Sequence, residues 1–222
     1  MPELLWDQTG QKKYTAGVDK GVLYPMVGTT YSKGVAWNGL TKVDENPDGA
    51  DANDFYANNS KYMTLRGAEN FKGTIEAYTY PDEFADCDGT AEIATGIRIG
   101  QQERKTFGFA YRTILGNDTE LDKHGYVIHL VYGATASPSS KSHGTINESR
   151  DLEAMSWEIS TVPTPIGKIA GVEYKPTSTL EIDSTKVTQA QLTAIENALY
   201  GTENTDPRLP LPSEILTIIA EG

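Results

Sequence analysis

Residues 126–132 read YVIHLVY and residues 155–161 read MSWEIST, and a stretch rich in Gly, Ser and Pro lies between them. In the second segment, Met155, Trp157 and Ile159 alternate with polar residues, which is the period of a strand with one buried face. In the first segment both faces carry apolar side chains, so we expect a strand that is covered on both sides. We therefore predict that residues 126–132 form the middle strand of a sheet, and that the other strands lie on either side of it.

Shorter segments with strand character lie on either side of this pair. Residues 71–80 and 106–115 show the clearest alternation along the chain. Residues 1–20 contain turn residues and no long periodicity, which predicts an N-terminal arm with at most one short strand. Residues 81–89 predict a turn-rich loop. The chain is therefore predicted to be mainly β, with further strands at residues 21–27, 34–43, 171–174 and 179–183.

One helix is predicted near the C-terminus, at residues 188–200. Thr188 is a suitable N-cap, Gln191 completes a capping box, and Gly201 ends the helix. Apolar residues recur at helical spacing in this segment, so one stripe is expected to be buried: Leu192, Ile195 and Leu199.

Residues 203–222 form a C-terminal extension that is first rich in proline and then apolar. Free termini are disordered unless something holds them, so an apolar tail is expected to dock. Two docking places stay open, a neighbouring subunit and the chain's own core.

The composition suits one domain with extensions. The chain has 222 residues, of which 38% are hydrophobic and 23% charged, and this is typical of a globular protein that is somewhat poor in apolar residues. The formal net charge is −12 at pH 7. Binding of nucleic acid depends on clustered Lys and Arg, so the charge argues against DNA as a tightly held ligand. DNA that slides past a like-charged surface is compatible with it.

Cys87 is the only cysteine, so no disulfide can form within the chain and no cysteine-based zinc site is available. The first residues include an acid where a signal peptide needs a basic region, and no apolar run of about 18 residues occurs. We expect a protein that is made in the cytoplasm and does not insert into a membrane.

Residues 44–61 include the acidic stretch DENPDGADANDFYANNS. Its opening is similar to a calcium-binding EF-hand loop, in which oxygen ligands alternate around a glycine turn. The match then fails, because position eight is Asp51 rather than an apolar residue and position twelve is Phe55 rather than Glu. A looser calcium site stays open, and a solvated or interface loop is favoured. The residues that match the EF-hand opening are Asp44, Asn46, Asp48 and Gly49.

Other candidate residues are weighed against ordinary structural roles. Three carboxylates near one turn could form a glycosidase pair, although such clusters are common on surfaces. The histidines lack a nucleophile motif and metal-ligand spacing. His129 is expected to be a hydrogen-bonded core or interface residue, His143 to be exposed, and Trp157 to lie in the core rather than in a sugar-stacking platform. We expect no catalytic residue, no cofactor and no metal. The other residues considered are Asp82, Glu83, Asp86, His124, Trp6 and Trp37.

Several short motifs occur along the chain in a fixed order. Together they resemble the major tail proteins of long-tailed, non-contractile bacteriophages, over most of the chain from about Val22 to Leu211. Each motif alone is weak, but the ordered set is fairly specific. The motifs are NDFYANNSKY (53–62), YPDEF (80–84), FGFAYRT (107–113), IHLVYG (128–133), SWEIST (156–161) and LYGT (199–202).

The resemblance implies a tail tube protein, a β-sandwich or barrel-like domain with one flanking helix. Its copies would form hexameric rings that stack into a hollow tube, with sheets of adjacent subunits joined edge to edge. DNA would pass through the lumen without specific binding. Further partners would be tape-measure and tail-completion proteins, and the location would be the virion tail. Residues 44–61 would contact the neighbouring ring, through Asp44, Glu45, Asp48, Asp51, Asp54, Phe55 and Tyr56.

Two other classes of function stay open. A calcium-dependent carbohydrate-binding β-sandwich would use the acidic stretch and exposed aromatic side chains. A hydrolase built on the same sheet would use Asp82 and Glu83. These classes differ in simple tests, because a tube protein assembles without ligand, a lectin-like module needs sugar or calcium, and a hydrolase loses activity when its carboxylates are changed.

Overall fold

The computed structural model describes residues 3–145, 152–169 and 172–221. The fold is mainly β, as the sequence predicts, and the strands pair antiparallel. In chain order the strands are β1 (Lys13–Val27), β2 (Thr30–Tyr31), β3 (Val35–Ala36), β4 (Leu40–Glu45), β5 (Asp48–Gly49), β6 (Ala52–Ala57), β7 (Ser60–Arg66), β8 (Glu69–Asn70), β9 (Lys72–Ala77), β10 (Ala91–Ala94), β11 (Ile97–Ile99), β12 (Phe107–Asn117), β13 (Leu121–Ala136), β14 (Met155–Thr161), β15 (Lys168–Ile169), β16 (Val172–Glu173) and β17 (Thr179–Asp183). The helices are α1 (Phe84–Cys87), α2 (Gln189–Tyr200) and α3 (Pro212–Glu221). No helix in these described ranges is long and apolar enough to cross a membrane.

β13 lies in the middle of the main sheet, which confirms the prediction for residues 126–132. The sheet runs in the order β2-β1-β12-β13-β14-β9-β4, with β3 beside β1 and β17 beside β13. On one edge β13 pairs with β12. On the other edge it pairs first with β17 and then, from Ala134 to Ala136, with β14. At this change of partner the sheet divides, and β14, β9 and β4 pack as a second layer over β1, β12 and β13.

Two hydrophobic cores lie on the two faces of β13. Val131 faces the space between the layers, where it belongs to one core with Phe109 and Trp157. Ile128 and Leu130 face the opposite side, where α2 and α3 cover the sheet. Burial on both faces explains why this strand is apolar at successive positions, as the sequence predicts.

α2 begins and ends where the sequence predicts. The Thr188 side chain accepts a hydrogen bond from the Gln191 backbone N–H, and the Gln191 side chain accepts one from the Thr188 N–H. Gly201 is the C-cap. The predicted apolar stripe is buried against the sheet: Leu192, Ile195 and Leu199.

The C-terminal extension docks on the chain's own core, which is the second of the two predicted placements. Leu209 and Ile215 are buried in the core that also contains α2. The prediction of a single helix is wrong, because the residues after the prolines form α3. Pro212 is the first residue of α3, where a missing N–H removes no hydrogen bond within the helix.

Several further segments differ from the prediction. The N-terminal arm is shorter, because β1 runs unbroken from Lys13 through the strand predicted at 21–27. The strand predicted at 34–43 is divided into β3 and β4 by a turn at Gly39, whose φ of 74° favours glycine. The segment 81–89 contains α1, and the hairpin β10–β11 was not predicted. Residues 1, 2, 171 and 222 of predicted segments lie outside the described residues.

Candidate functional site

Residues 40–77 form one long β-hairpin, so the prediction of a long loop at residues 44–61 is wrong. β4 pairs with β9 at the base, β5 with β8 further out, and β6 with β7 at the end. The chain reverses at Asn58 and Asn59, whose φ angles of 51° and 60° are those of a two-residue type I′ turn, in which Asn is favoured. We call the outer part, residues 46–70, the ribbon.

The ribbon stands outside both cores. None of its residues is buried, and all except Ala50 are exposed. Two of the residues predicted for the inter-subunit contact, Asp44 and Glu45, belong instead to β4 in the main sheet, where they pair with Thr74 and Gly73. The other five predicted residues lie on the exposed ribbon: Asp48, Asp51, Asp54, Phe55 and Tyr56.

The end of the ribbon carries apolar side chains that face water. Phe55 pairs with Met63 across the two strands, so both side chains lie on one face. Tyr56 and Tyr62 are each 69% exposed, and Leu65 is also exposed. An isolated two-stranded ribbon is only marginally stable in water, and exposed apolar patches mark interaction surfaces. This part of the ribbon is therefore suited to contact with another molecule.

Two acidic residues of the ribbon, Asp48 and Asp54, are paired with nearby lysines. Asp48 accepts a hydrogen bond from Lys72 Nζ at 2.5 Å. Asp54 binds Lys61 Nζ at 2.7 Å and accepts a hydrogen bond from Thr64 Oγ1 at 2.6 Å. The lysine contacts are the main reason why the pKa of Asp48 and the pKa of Asp54 are lowered. The EF-hand register is divided among β4, β5 and β6, each paired with another strand of the hairpin, so the curled EF-hand loop is not formed.

A second polar cluster lies at the base of the ribbon. Tyr111 of β12, His129 of β13 and Glu181 of β17 are cross-strand partners, so they stand in a row on one face of the sheet. Glu45, the last residue of β4, reaches this row from the opposing layer. The His129 Nδ1 atom is 3.4 Å from Glu45 Oε1 and 3.7 Å from Glu181 Oε1. We call these four residues the rim cluster.

Contacts within the rim cluster hold its side chains in place. The Tyr111 hydroxyl donates a hydrogen bond to Glu45 Oε1, and the Tyr111 ring stacks on His129 with 4.6 Å between centroids. His129 Nε2 lies 2.9 Å from Thr113 Oγ1, which confirms the prediction of a hydrogen-bonded histidine. His129 and the Tyr111 hydroxyl together lower the pKa of Glu45. Burial, and then the bond to Glu45, raise the pKa of Tyr111.

The rim cluster also contains a set of metal-ligating groups that the sequence analysis did not bring together. Within the part of the chain that the structure describes, Glu45, His129 and Glu181 are the one group of three or more such side chains whose ligand atoms lie within 4.8 Å of one another. Glu45 was predicted as an inter-subunit contact and His129 as a hydrogen-bonded core or interface residue. No sequence signal linked them to Glu181, because the three residues are far apart in the chain.

Two of the three predicted carboxylates near α1 are bound by separate cations. Asp82 pairs with Arg98 at 2.7 Å, and Asp86 pairs with Lys105 at 2.6 Å. Glu83 is exposed at the N-cap of α1. Since Asp82 and Asp86 each bind their own cation, this geometry does not favour the glycosidase interpretation.

The tryptophans do not form a common platform. Trp37 and Trp157 are buried and meet edge to face with centroids 5.7 Å apart, which confirms the core prediction for Trp157. Trp6 is exposed. His124 is half-buried beside a carboxylate, and His143 is exposed as predicted.

Two further segments present apolar side chains to solvent. The unpredicted hairpin β10–β11 exposes three isoleucines, Ile93, Ile97 and Ile99. The N-terminal segment before β1 exposes Leu4, Leu5 and Trp6. Like the ribbon, these two segments of the described chain are therefore suited to contact with another molecule.

Comparison of the chain with known proteins finds no family model and no curated protein that match it. The resemblance to phage tail proteins therefore stays a prediction, and the function is inferred from the geometry of the exposed surfaces.

Proposed function

We propose that the protein is a structural subunit of a bacteriophage tail tube, which assembles with copies of itself into hexameric rings that stack around a channel for DNA. The ribbon carries this proposal. It stands outside both cores, and Phe55, Tyr56 and Met63 at its end are exposed. A ribbon of this composition gains stability when it lies on a second molecule, because its apolar face is then removed from water.

The reach of the ribbon suits a contact between stacked rings. A strand rises about 3.3 Å per residue, so residues 46–58 extend at most ~40 Å from the sheet. This is more than the diameter of a small domain. The ribbon of one subunit can therefore extend past the body of its own ring and lie against the next.

Contacts within a ring need other surfaces, and the molecule has them. Within the described residues β17 pairs with β13 alone, so its outer edge has backbone groups that can pair with a strand of a neighbour. The exposed isoleucines of β10–β11 and the N-terminal apolar segment supply further contact area. A ring interface and a stacking interface can therefore use different parts of one subunit.

The negative net charge of the subunit is compatible with a channel through which DNA passes. A net charge of −12 repels the phosphate backbone, and DNA can move along such a surface without being trapped. The same repulsion acts between subunits, so assembly is favoured when salt screens it.

Electron microscopy of the negatively stained, purified protein at rising concentration tests this proposal. We expect rings or hollow tubes without any ligand. The double variant Phe55→Ser with Met63→Ser should lose the tubes and keep its thermal unfolding midpoint, because no core residue is changed. The matched control, Phe55→Leu with Met63→Leu, keeps the face apolar and should still assemble.

Two results would count against the proposal. Tubes that persist unchanged in the serine variant would show that the ribbon does not make the stacking contact. A wild-type protein that stays monomeric at every salt and protein concentration, and that binds a glycan in the presence of calcium, would favour the carbohydrate-binding alternative.

A further inference from the structure

The rim cluster presents a nitrogen atom and two carboxylates to one point. The His129 side chain is 14% exposed, and its Nδ1 atom is buried without a hydrogen-bond partner among the described residues. The ring orientation is fixed by the stacked Tyr111 ring and by the contact between Nε2 and Thr113 Oγ1. When the ring proton lies on Nε2 and is donated to Thr113, Nδ1 presents its lone pair.

A lone pair on Nδ1 that faces two carboxylates is unfavourable unless a proton on Nδ1 or a metal ion lies between them. Glu45 Oε1 is 3.4 Å and Glu181 Oε1 is 3.7 Å from Nδ1. In a tetrahedral site with bonds of about 2.0–2.2 Å, two ligand atoms are ~3.3–3.6 Å apart. The distance from Nδ1 to Glu45 Oε1 lies in this range, and the distance to Glu181 Oε1 is slightly longer, so a small movement of the exposed Glu181 side chain would complete the spacing around one ion.

We propose that Glu45, His129 and Glu181 bind one divalent transition-metal ion of the Zn²⁺ type. His129 contributes Nδ1 and each glutamate one carboxylate oxygen. The hydrogen bond from Tyr111 to Glu45 Oε1 orients that carboxylate, which is the usual role of a residue behind a metal ligand. Glu181 is 63% exposed, so the ion can enter from solvent and water can complete its coordination.

The ligands Glu45, His129 and Glu181 do not favour Ca²⁺, the ion considered for residues 44–61. Ca²⁺ and Mg²⁺ prefer sites made of oxygen atoms, and Ca²⁺ takes six to eight of them. An imidazole nitrogen with two carboxylates suits Zn²⁺ or Co²⁺ better. The site is therefore distinct from a calcium-binding loop in the ribbon.

The position of the site connects it with the ribbon. Glu45 is the last residue of β4, directly before the ribbon begins, whereas His129 and Glu181 belong to the opposing layer. A bound ion would link the two layers at the base of the ribbon and would restrict movement of the ribbon relative to the sheet. This inference does not depend on the proposed function, since a protein that binds the ion and forms no tubes would contradict only the tube assignment.

Titration of the untagged, metal-stripped protein with Co²⁺ tests the site, because tetrahedral Co²⁺ absorbs visible light much more strongly than the hydrated ion. We expect saturation at one equivalent and displacement by Zn²⁺. His129→Gln and Glu181→Gln should each weaken binding at least tenfold. His124→Gln is the matched control, since His124 contacts Glu120 at 2.6 Å without a third ligand, and it should bind Co²⁺ like the wild type.

Thermal unfolding gives a second measurement. Zn²⁺ should raise the unfolding midpoint of the wild type and of His124→Gln, because an ion that binds the folded state stabilises it, and it should leave Glu181→Gln unchanged. Glu181 is exposed, so its isosteric variant is expected to fold normally and the loss cannot be attributed to misfolding. The proposal is overturned if the wild type shows no saturable binding, or if His129→Gln and Glu181→Gln bind Co²⁺ as the wild type does.

Discussion

Asp88 is a buried carboxylate at which three segments of the chain meet. It is 8% exposed, and it binds Lys141 Nζ at 2.5 Å and Arg104 Nη1 at 3.3 Å. Arg104 also donates a hydrogen bond to the Ala136 carbonyl at 3.2 Å. Removing a charge from water costs several kcal/mol unless partners compensate it, so these contacts hold α1, the end of β13 and the following segment together. No sequence motif pointed to this residue.

Asp88→Ala should lower the free energy of unfolding by about 2–4 kcal/mol, because it leaves two partly buried cations without their anion. Asp86→Ala is the matched control, since Asp86 pairs with Lys105 on the surface and exposed pairs contribute at most about 1 kcal/mol. Urea unfolding of both variants measures the difference. Equal losses would show that the Asp88 contacts do not stabilise the fold.

At the scale of elements, α2 is the helix whose sequence and structure agree most closely. Its N-cap bonds are both formed, and its buried residues are those of the predicted stripe. The signals are local, because a cap and its bonded N–H lie within one turn. The apolar stripe of α2 packs on the apolar face of β13.

Thr188→Ala should destabilise the protein by about 1 kcal/mol, because the N-terminal N–H groups of α2 lose an acceptor. Thr193→Ala is the control within the same helix, since Thr193 is exposed and bonds only the Gln189 carbonyl and side chain. That change should stay within ~0.5 kcal/mol. The midpoints of urea unfolding compare the two, and a Thr193 variant that loses as much as Thr188→Ala would contradict the capping role.

At the scale of the whole molecule, the ribbon lies apart from the rest of the described chain, which contains both cores and which we call the body. Every buried hydrophobic residue lies outside residues 46–70. The ribbon is stabilised by the backbone hydrogen bonds between β6 and β7, by its turn, and by surface ion pairs such as that between Asp48 and Lys72. The stability of the body and the ability to assemble should therefore respond to different mutations.

Replacement of residues 47–70 by a short Asn-Gly turn should leave the body folded. The Asn46 N–H already donates to the Lys72 carbonyl at 2.7 Å, so the two ends of the deletion are adjacent. We expect the thermal unfolding midpoint to change by less than about 3 °C, because no core contact is removed, and we expect assembly to be lost. Calorimetry and sedimentation measure the two effects. A large fall in the midpoint would show that the ribbon contributes to the body.

The local elements could be predicted from the sequence alone. β14 and β17 coincide with residues 155–161 and 179–183, and α2 begins one residue after its predicted cap. Alternation and capping act between residues close in the chain, so they can be read without the fold. The central position of residues 126–132 could also be predicted, because only a strand covered on both faces is apolar at successive positions.

The ribbon, α3 and the rim cluster could not be predicted from the sequence, because they depend on tertiary structure. Both faces of the ribbon are exposed, so its strands lack the apolar alternation that identifies a half-buried strand, and its acidic residues are typical of a loop. α3 follows prolines that favour extended chain, and its apolar side chains are explained only by the core beneath them. The rim cluster depends on the register of three strands and on the packing of one layer over the other. Residues 45, 129 and 181 are close in space for that reason, and no local sequence pattern predicts this proximity.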